Sequence, residues 1–142
     1  MSKALRINHI ALVVGDLDQA LNFWRDGLGL ELARTEDVPE QAATVAFLPV
    51  GESQVELVQP TTADSGLARY LAKRGPGMHH VCVEVADIAA ALGHLRAKGF
   101  RLIDETPRRG HGGRQYAFVH PESAHGVLVE LYQLPAPPAG PS

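Results

Sequence analysis

Hydrophobic and polar residues alternate in short runs that predict strands, and two longer stretches with helical periodicity interrupt these runs. The first half of the chain opens with a β-rich run over residues 7–14. Asp16 follows as a helix N-cap, and Gly29 can end the helix at positive φ. The apolar residues that recur at helical spacing between them, and so form its packed face, are Leu17, Ala20, Leu21, Trp24 and Leu28. Three further strands are predicted at residues 31–34, 44–48 and 54–59. This half is therefore predicted to fold as β-α-β-β-β.

The second half of the chain repeats this order. His9 begins the segment HIALVVGDLDQAL and His80 begins HVCVEVADIAAAL, an offset of 71 residues. The tripeptide Val-Glu-Leu occurs at residues 55–57 and again at 129–131, an offset of 74. The two offsets differ by only three residues, which indicates that the chain contains two copies of one ancestral module. The predicted elements of this half are a strand at 78–85, a helix at 87–98 and strands at 100–103, 115–119 and 127–133.

We predict a single α+β domain over residues 1–134, built from these two tandem βαβββ modules. Ser65 caps a short amphipathic helix that links the modules, and the Gly-Pro-Gly sequence at 75–77 ends it. The Pro/Ala-rich tail over 135–142 has nothing to pack and is predicted to be flexible. The boundaries are about 6–60 for the first module, 65–74 for the linking helix and about 78–133 for the second module.

Polar residues recur at equivalent strand positions of the two modules. Since side chains alternate along a strand, one face of each module is apolar and can cover the helix, while the opposite face carries His and Glu. Each residue taken alone is better explained as a solvated residue on a one-sided sheet. The repetition of His9 as His80, and of Glu56 as Glu130, instead favours convergence on one point. Two imidazoles and two carboxylates suit divalent Mn, Fe, Co, Ni or Zn.

Two neighbours of these residues have less direct roles. His79 precedes His80 and points to the opposite face, so we interpret it as a structural or supporting residue; its repeat partner is Asn8. Cys82 is interpreted as an inert small residue near the site.

Composition narrows the class of protein. The 142 residues carry 13 basic and 16 acidic side chains, a formal net charge of -3, which argues against nucleic-acid and anionic-membrane partners. No apolar run approaches the roughly 20 residues of a membrane span, and the N-terminal residues lack a signal-peptide core. The single cysteine excludes a disulfide framework and indicates a reducing compartment. We therefore expect a cytoplasmic enzyme or binding domain.

Taken together, these features resemble the vicinal oxygen chelate superfamily, which contains glyoxalases, ring-cleaving dioxygenases and antibiotic-resistance proteins. Several segments are more specifically similar to its methylmalonyl-CoA epimerase branch, and the similarity covers about residues 6–133. The glycine that usually follows the Glu-Gln pair in that branch is Ala42 here. The discriminating segments are Pro39-Glu40-Gln41 and Ile103-Asp104 with Pro107-Arg108.

The resemblance implies a glyoxalase-like fold in which the two modules form a cupped mixed sheet around a metal. It implies interconversion of (2R)- and (2S)-methylmalonyl-CoA by proton abstraction at C2 through a metal-stabilised enolate. The metal is expected to be Co²⁺, with Mn²⁺, Ni²⁺ or Zn²⁺ as alternatives. Glu40 and Glu130 are the implied acid/base pair, and a homodimer is expected. The implied metal ligands are His9, Glu56, His80 and Glu130.

Three other functions share parts of this pattern. A glyoxalase I-type lyase would use the same ligands on a glutathione hemithioacetal. A ring-cleaving dioxygenase usually requires a metal site with two histidines, one carboxylate and open positions. A non-catalytic binder of the superfamily often lacks the metal ligands. Arg108 and Arg109, in a glycine-flanked loop, are candidates to bind the CoA phosphates of an acyl-CoA substrate, and solvation of the loop explains them equally well.

Overall fold

The computed structural model describes residues 2–136, so most of the predicted tail over 135–142 lies outside the described residues. The chain divides into two compact units. We call residues 8–81 the N-terminal unit, and residues 2–7 together with 82–136 the C-terminal unit. None of the helices within the described range is long and apolar enough to cross a membrane.

The elements follow the predicted order, with β-α-β-β-β occurring twice, and the α+β class is confirmed. The first module contains β1 (Ala4–Val13), α1 (Leu17–Leu21), β2 (Arg34–Val38), β3 (Ala43–Val50) and β4 (Ser53–Pro60). The linking helix is α2 (Gly66–Arg74), capped by Ser65 as predicted. The second module contains β5 (Gly77–Val85), α3 (Ile88–Ala97), β6 (Arg108–Arg109), β7 (Gln115–Val119) and β8 (Val129–Gln133).

In the N-terminal unit the strands lie in the order β2-β3-β4-β1. Strand β3 is antiparallel to both β2 and β4, whereas β4 runs parallel to β1 with Ala11 opposite Glu56. One face of these strands, around Leu57, packs against Leu21 of α1 and Trp24. His9 and Glu56 therefore belong to the face turned away from that helix, as their alternation along the strands predicts.

The boundary between the units falls within β5, so the C-terminal unit contains the end of this strand from Cys82 onward, and its strand order is β5-β8-β7-β6. Strand β7 is antiparallel to β8, and Phe118 lies opposite Glu130. The core of this unit joins Val85, Ile88 and Leu92 to Leu131 of β8. Ile88 and Leu92 are each 1% exposed, so α3 covers its strands as fully as its apolar stripe predicts.

The duplication extends to the hydrogen bonds at the start of each helix. Asp16 Oδ1 accepts a hydrogen bond from the backbone N–H of Gln19 at 3.2 Å, and Asp87 Oδ1 accepts the equivalent one from Ala90 at 3.0 Å. A strand glutamine also caps each helix. The Oε1 atom of Gln59 accepts from Leu17 N at 2.8 Å, and that of Gln133 accepts from Ile88 N at 2.7 Å. These glutamines share the 74-residue offset of the Val-Glu-Leu repeat.

The predicted first helix differs from the structure in its second half. The α-helix ends at Leu21, and residues Asn22–Gly27 form a π-helix with Leu28 N donating to Phe23 O. Such wide turns shift the side chains relative to an α-helical stripe. Leu28, predicted to lie on the packed face, is accordingly 56% exposed, while Trp24 stays in the cluster. Gly29 ends the segment at φ 89°, as predicted.

Two predicted strands lie elsewhere. The strand expected at 31–34 instead spans Arg34–Val38, because Leu30 and Leu32 pack into the α1 cluster and pairing with β3 begins only afterwards. The strand expected at 100–103 is reduced to one bridge between Leu102 and Val119. The regular pairing in that part of the sheet comes from β6.

A buried carboxylate lies two residues after Leu102. Asp104 is 7% exposed, and its Oδ2 accepts a hydrogen bond from the backbone N–H of Phe118 at 2.9 Å. Its Oδ1 accepts one from Arg108 Nε, also at 2.9 Å. The Asp104 charge, with smaller contributions from Tyr116, raises the pKa of the Arg108 guanidinium. Arg108, a candidate for CoA phosphates, is thus engaged with Asp104 in this structure.

We expect Asp104→Ala to lower the free energy of unfolding by about 1–3 kcal/mol, because it leaves a buried N–H of β7 without its acceptor. Chemical denaturation measures this loss. Arg108→Ala is the matched control, since it removes the ion pair and keeps the bond to Phe118. It should cause a clearly smaller change because the guanidinium is 62% exposed. Equal losses in the two variants would assign the stabilisation to the ion pair instead.

Candidate metal centre and active site

Two histidines meet on the polar face of the N-terminal unit. His9 lies on β1 and His80 on β5, and β5 is the neighbour of β1. Their Nε2 atoms are 3.2 Å apart, and the two rings are edge to face at an interplanar angle of 76°. His9 is 2% exposed. The structure therefore brings together the two residues that the 71-residue repeat pairs.

The far side of the His9 ring contacts two oxygen atoms. Its Nδ1 lies 2.7 Å from Asn8 Oδ1 and 3.1 Å from Glu56 Oε2. Gln54 Nε2 donates to the same Glu56 oxygen at 3.2 Å. An ionised carboxylate can only accept hydrogen bonds, so Nδ1 of His9 carries the proton. In a neutral His9 ring, Nε2 is then a buried acceptor that faces His80.

His80 is held in a similar way from its own far side. Its Nδ1 is 2.9 Å from Nδ1 of His79. The His79 ring in turn packs edge to face on Tyr70 of α2, with ring centroids 4.9 Å apart. The hydroxyl of Tyr70 donates to the carbonyl of Met78 at 2.9 Å, which fixes the tyrosine against the start of β5.

The geometry of the two Nε2 atoms fits a shared divalent cation. Two nitrogen ligands 3.2 Å apart, each about 2.1 Å from a cation, subtend an angle of about 100° at it. That angle lies between the octahedral and tetrahedral values. Imidazole nitrogens and carboxylates also form the donor set that borderline divalent metals prefer. The residues present therefore fit a metal centre in which the open positions can take a substrate.

The two predicted carboxylate ligands have different surroundings. Glu56 is largely buried, but its Oε2 contacts the Nδ1 side of His9 and not the Nε2 side that faces His80, so the structure does not bring this oxygen of the predicted ligand to the two Nε2 atoms. Glu130 belongs to the C-terminal unit, where it is 6% exposed on β8. A Glu130 carboxylate oxygen lies within 4.8 Å of the sulfur of Cys82, the buried free cysteine. Both carboxylates are thus withdrawn from solvent, as expected for functional rather than solvating residues.

Glu40 lies apart from the histidine pair. It is exposed on a 3-10 turn, Pro39–Gln41, that joins β2 to β3. In space this turn lies beside the end of β4, since Ala43 pairs with Pro60 and Thr61 N donates to Ala42 O. Pro60 is four residues beyond Glu56, about 13 Å of extended strand. The structure therefore does not bring Glu40 together with the histidine pair, and its acid/base role stays a prediction.

The turn that carries Glu40 ends in a conformation that favours glycine. Ala42 has φ 50° and ψ 49°, in the left-handed region. Glycine adopts this region without strain, so the alanine noted in the sequence lies at a position that favours glycine. The side chain costs about 1–2 kcal/mol in this region.

We expect Ala42→Gly to raise the free energy of unfolding by about 0.5–1 kcal/mol, since relief of the left-handed strain exceeds the added chain entropy. Denaturant titration measures the change. Ala63→Gly is the control, because Ala63 is an exposed loop alanine that does not have positive φ. Ala63→Gly should leave the free energy of unfolding unchanged or lower it. A loss of stability in Ala42→Gly as large as in the control would contradict the strain argument.

The fold and this site define the class of protein. Residues 8–118 match the family model described as Glyoxalase/Bleomycin resistance protein/Dioxygenase superfamily. The chain belongs to this superfamily, which confirms the resemblance found in the sequence.

Individual relatives narrow the class. The mitochondrial methylmalonyl-CoA epimerase of Mus musculus is 40% identical over 129 residues, which cover 90% of this chain and 72% of the relative. A probable lactoylglutathione lyase of Synechocystis is 34% identical over 88% of this chain and 92% of the relative. A variant Streptomyces coelicolor methylmalonyl-CoA epimerase, solved with 2-nitronate-propionyl-CoA, aligns with TM-score 0.84 and 38% identity over 94% of this chain and 97% of that chain. Within the superfamily, the chain belongs to the methylmalonyl-CoA epimerase family.

Sequence reasoning missed three residues around the histidine pair. Asn8, Gln54 and Tyr70 were not predicted to take part in the site. A signal existed for Asn8, because it aligns with His79 in the repeat and precedes a predicted ligand. Tyr70 had no such signal, since its contact with His79 depends on how α2 packs.

Proposed function

We propose that this protein is a metal-dependent methylmalonyl-CoA epimerase that interconverts the (2R) and (2S) forms by proton transfer at C2. The family membership supports the reaction. The observation that carries the proposal is the pair of Nε2 atoms 3.2 Å apart, with both Nδ1 atoms held from behind. This arrangement prepares two nitrogen ligands for one cation.

The proposed ligands are His9, Glu56, His80 and Glu130. A bound divalent ion would supply electrostatic stabilisation to the negative charge that develops on the thioester oxygen as C2 loses its proton. His9 and His80 offer Nε2 atoms to it. Glu56 and Glu130 add negative charge, so that two neutral imidazoles and two carboxylates balance a divalent ion. Cobalt is the proposed metal, with manganese, nickel or zinc as alternatives.

Inversion at C2 requires a proton acceptor on one face and a donor on the other. We assign these roles to Glu40 and Glu130. Glu40 lies on an exposed turn and can exchange protons with solvent, whereas Glu130 is buried and combines the acid/base role with that of a ligand. General acid–base groups contribute about 10²–10⁴-fold each. The proposal also includes a homodimer, and the cytoplasmic location expected from composition stays a prediction.

Three measurements on the purified protein test this function. Metal analysis should find about one divalent ion per chain. Coupled assays should show conversion of (2R)- to (2S)-methylmalonyl-CoA, loss of that activity on chelation and recovery with Co²⁺ or Mn²⁺. The same preparation should form little or no lactoylglutathione from the glutathione hemithioacetal. Efficient lyase activity without epimerisation would overturn the proposal in favour of the glyoxalase I-type alternative.

A further inference from the structure

The residue before each predicted histidine ligand contacts the Nδ1 atom of that ligand. Asn8 Oδ1 is 2.7 Å from Nδ1 of His9, and His79 Nδ1 is 2.9 Å from Nδ1 of His80. Asn8 and His79 also occupy equivalent positions of the two modules, 71 residues apart. The same contact is therefore made twice, by two different side chains that each offer an acceptor atom.

These contacts determine which ring nitrogen can bind a cation. A neutral imidazole has one N–H donor and one acceptor nitrogen, and a cation takes the acceptor. Nδ1 of His9 faces the oxygens of Asn8 and Glu56, so its proton is on Nδ1 and its lone pair is on Nε2. If Nε2 of His80 binds the same cation, the His80 proton is likewise on Nδ1. Nδ1 of His79 must then accept it.

The position of the His79 ring does not depend on His80 alone. Tyr70 packs edge to face on it at a centroid distance of 4.9 Å, and the Tyr70 hydroxyl is anchored on Met78 O. Helix α2 thus helps to fix the orientation of His80 through the rings of Tyr70 and His79. Groups that hold a ligand imidazole by its second nitrogen commonly raise metal affinity 10–100-fold.

We propose that Asn8 and His79 are paired positioning residues, which accept the Nδ1–H groups of His9 and His80 and so direct both Nε2 atoms to one divalent cation. The inference rests on the proposed metal-dependent function for the identity of the ligand. It goes beyond that function because it assigns roles to two side chains that need touch neither metal nor substrate. It also gives a physical reason for the His-His sequence at 79–80.

Zinc affinity of the purified full-length protein, measured by competition with a chromophoric chelator, tests the proposal. His79→Phe keeps the aromatic ring on Tyr70 but removes the acceptor, and Asn8→Leu keeps the approximate size and removes the oxygen. Each should weaken zinc binding about 10–100-fold. His79→Asn and Asn8→Asp retain an acceptor and should stay within about threefold of the unmodified protein. His94→Phe, on α3, controls for loss of a histidine.

A spectroscopic signature separates positioning from general damage. In the zinc-loaded protein, long-range ¹H–¹⁵N spectra should show slowly exchanging Nδ1–H groups on His9 and His80. His79→Phe should remove the protection of the His80 group, with that of His9 retained. Unchanged affinity in His79→Phe, or unchanged protection of the His80 proton, would overturn the proposal. If His79→Phe fails to fold, a His79→Asn protein that loses zinc affinity overturns it equally. Zinc binding with this signature but without epimerisation would overturn the proposed function alone.

Discussion

His80→Ala is expected to remove most of the bound metal and to reduce epimerisation by at least about 10²–10³-fold. The variant deletes one of the two nitrogens that face each other across 3.2 Å, so a cation would keep only half of its nitrogen ligands. Loss of preorganised stabilisation of developing negative charge costs about 3–4 kcal/mol in comparable sites, which corresponds to that rate change. Metal content per chain and the initial epimerisation rate are the two measurements.

The matched control for this prediction is His94→Ala on α3. It also removes a histidine but lies outside the proposed site, so metal content and rate should match those of the unmodified protein. Added Co²⁺ at high concentration should restore part of the activity of His80→Ala if the remaining ligands still bind weakly. A His80→Ala protein with full metal content and full rate would show that the ligand assignment is wrong.

The repeat accounts for most of what could be predicted from the sequence. Its spacing alone pairs His9 with His80, and the Nε2 atoms of these two side chains lie in contact in the folded chain. It also aligns the N-caps Asp16 and Asp87, which accept equivalent hydrogen bonds from Gln19 and Ala90. Such features depend on local spacing and strand alternation, which the sequence records directly.

Features that depend on tertiary packing were not predictable in this way. The helical spacing of apolar residues continues through the π-helical turn that exposes Leu28, so this spacing does not indicate the turn. The role of Asp104 was also not predicted, because its carboxylate meets an N–H of β7 only in the folded chain. The contact of Tyr70 with His79 requires α2 to be in place. For Asp104 and Tyr70, the deciding interaction comes from a residue in another element of the fold.

Glu40→Gln is expected to reduce epimerisation by about 10²-fold or more while metal content stays near one ion per chain. The amide has nearly the size of the carboxylate but cannot accept and return a proton at C2. Metal should be retained because the turn that holds Glu40 lies about 13 Å along β4 from Glu56, so the change leaves the histidine pair intact. Glu31→Gln, at another exposed carboxylate of the N-terminal unit, makes the same charge change and should be neutral.

Isotope exchange in deuterated water shows whether Glu40 and Glu130 serve opposite faces of C2. With both bases present, either stereoisomer should incorporate deuterium as it inverts. With Glu40 replaced, the base that remains can still remove and return a proton on its own face. One stereoisomer should then exchange slowly without inversion, and the other should not exchange, because its C2 proton points toward the missing base. Normal epimerisation in Glu40→Gln, or equal slow exchange from both stereoisomers, would contradict the two-base assignment and leave Glu40 as an ordinary carboxylate on an exposed turn.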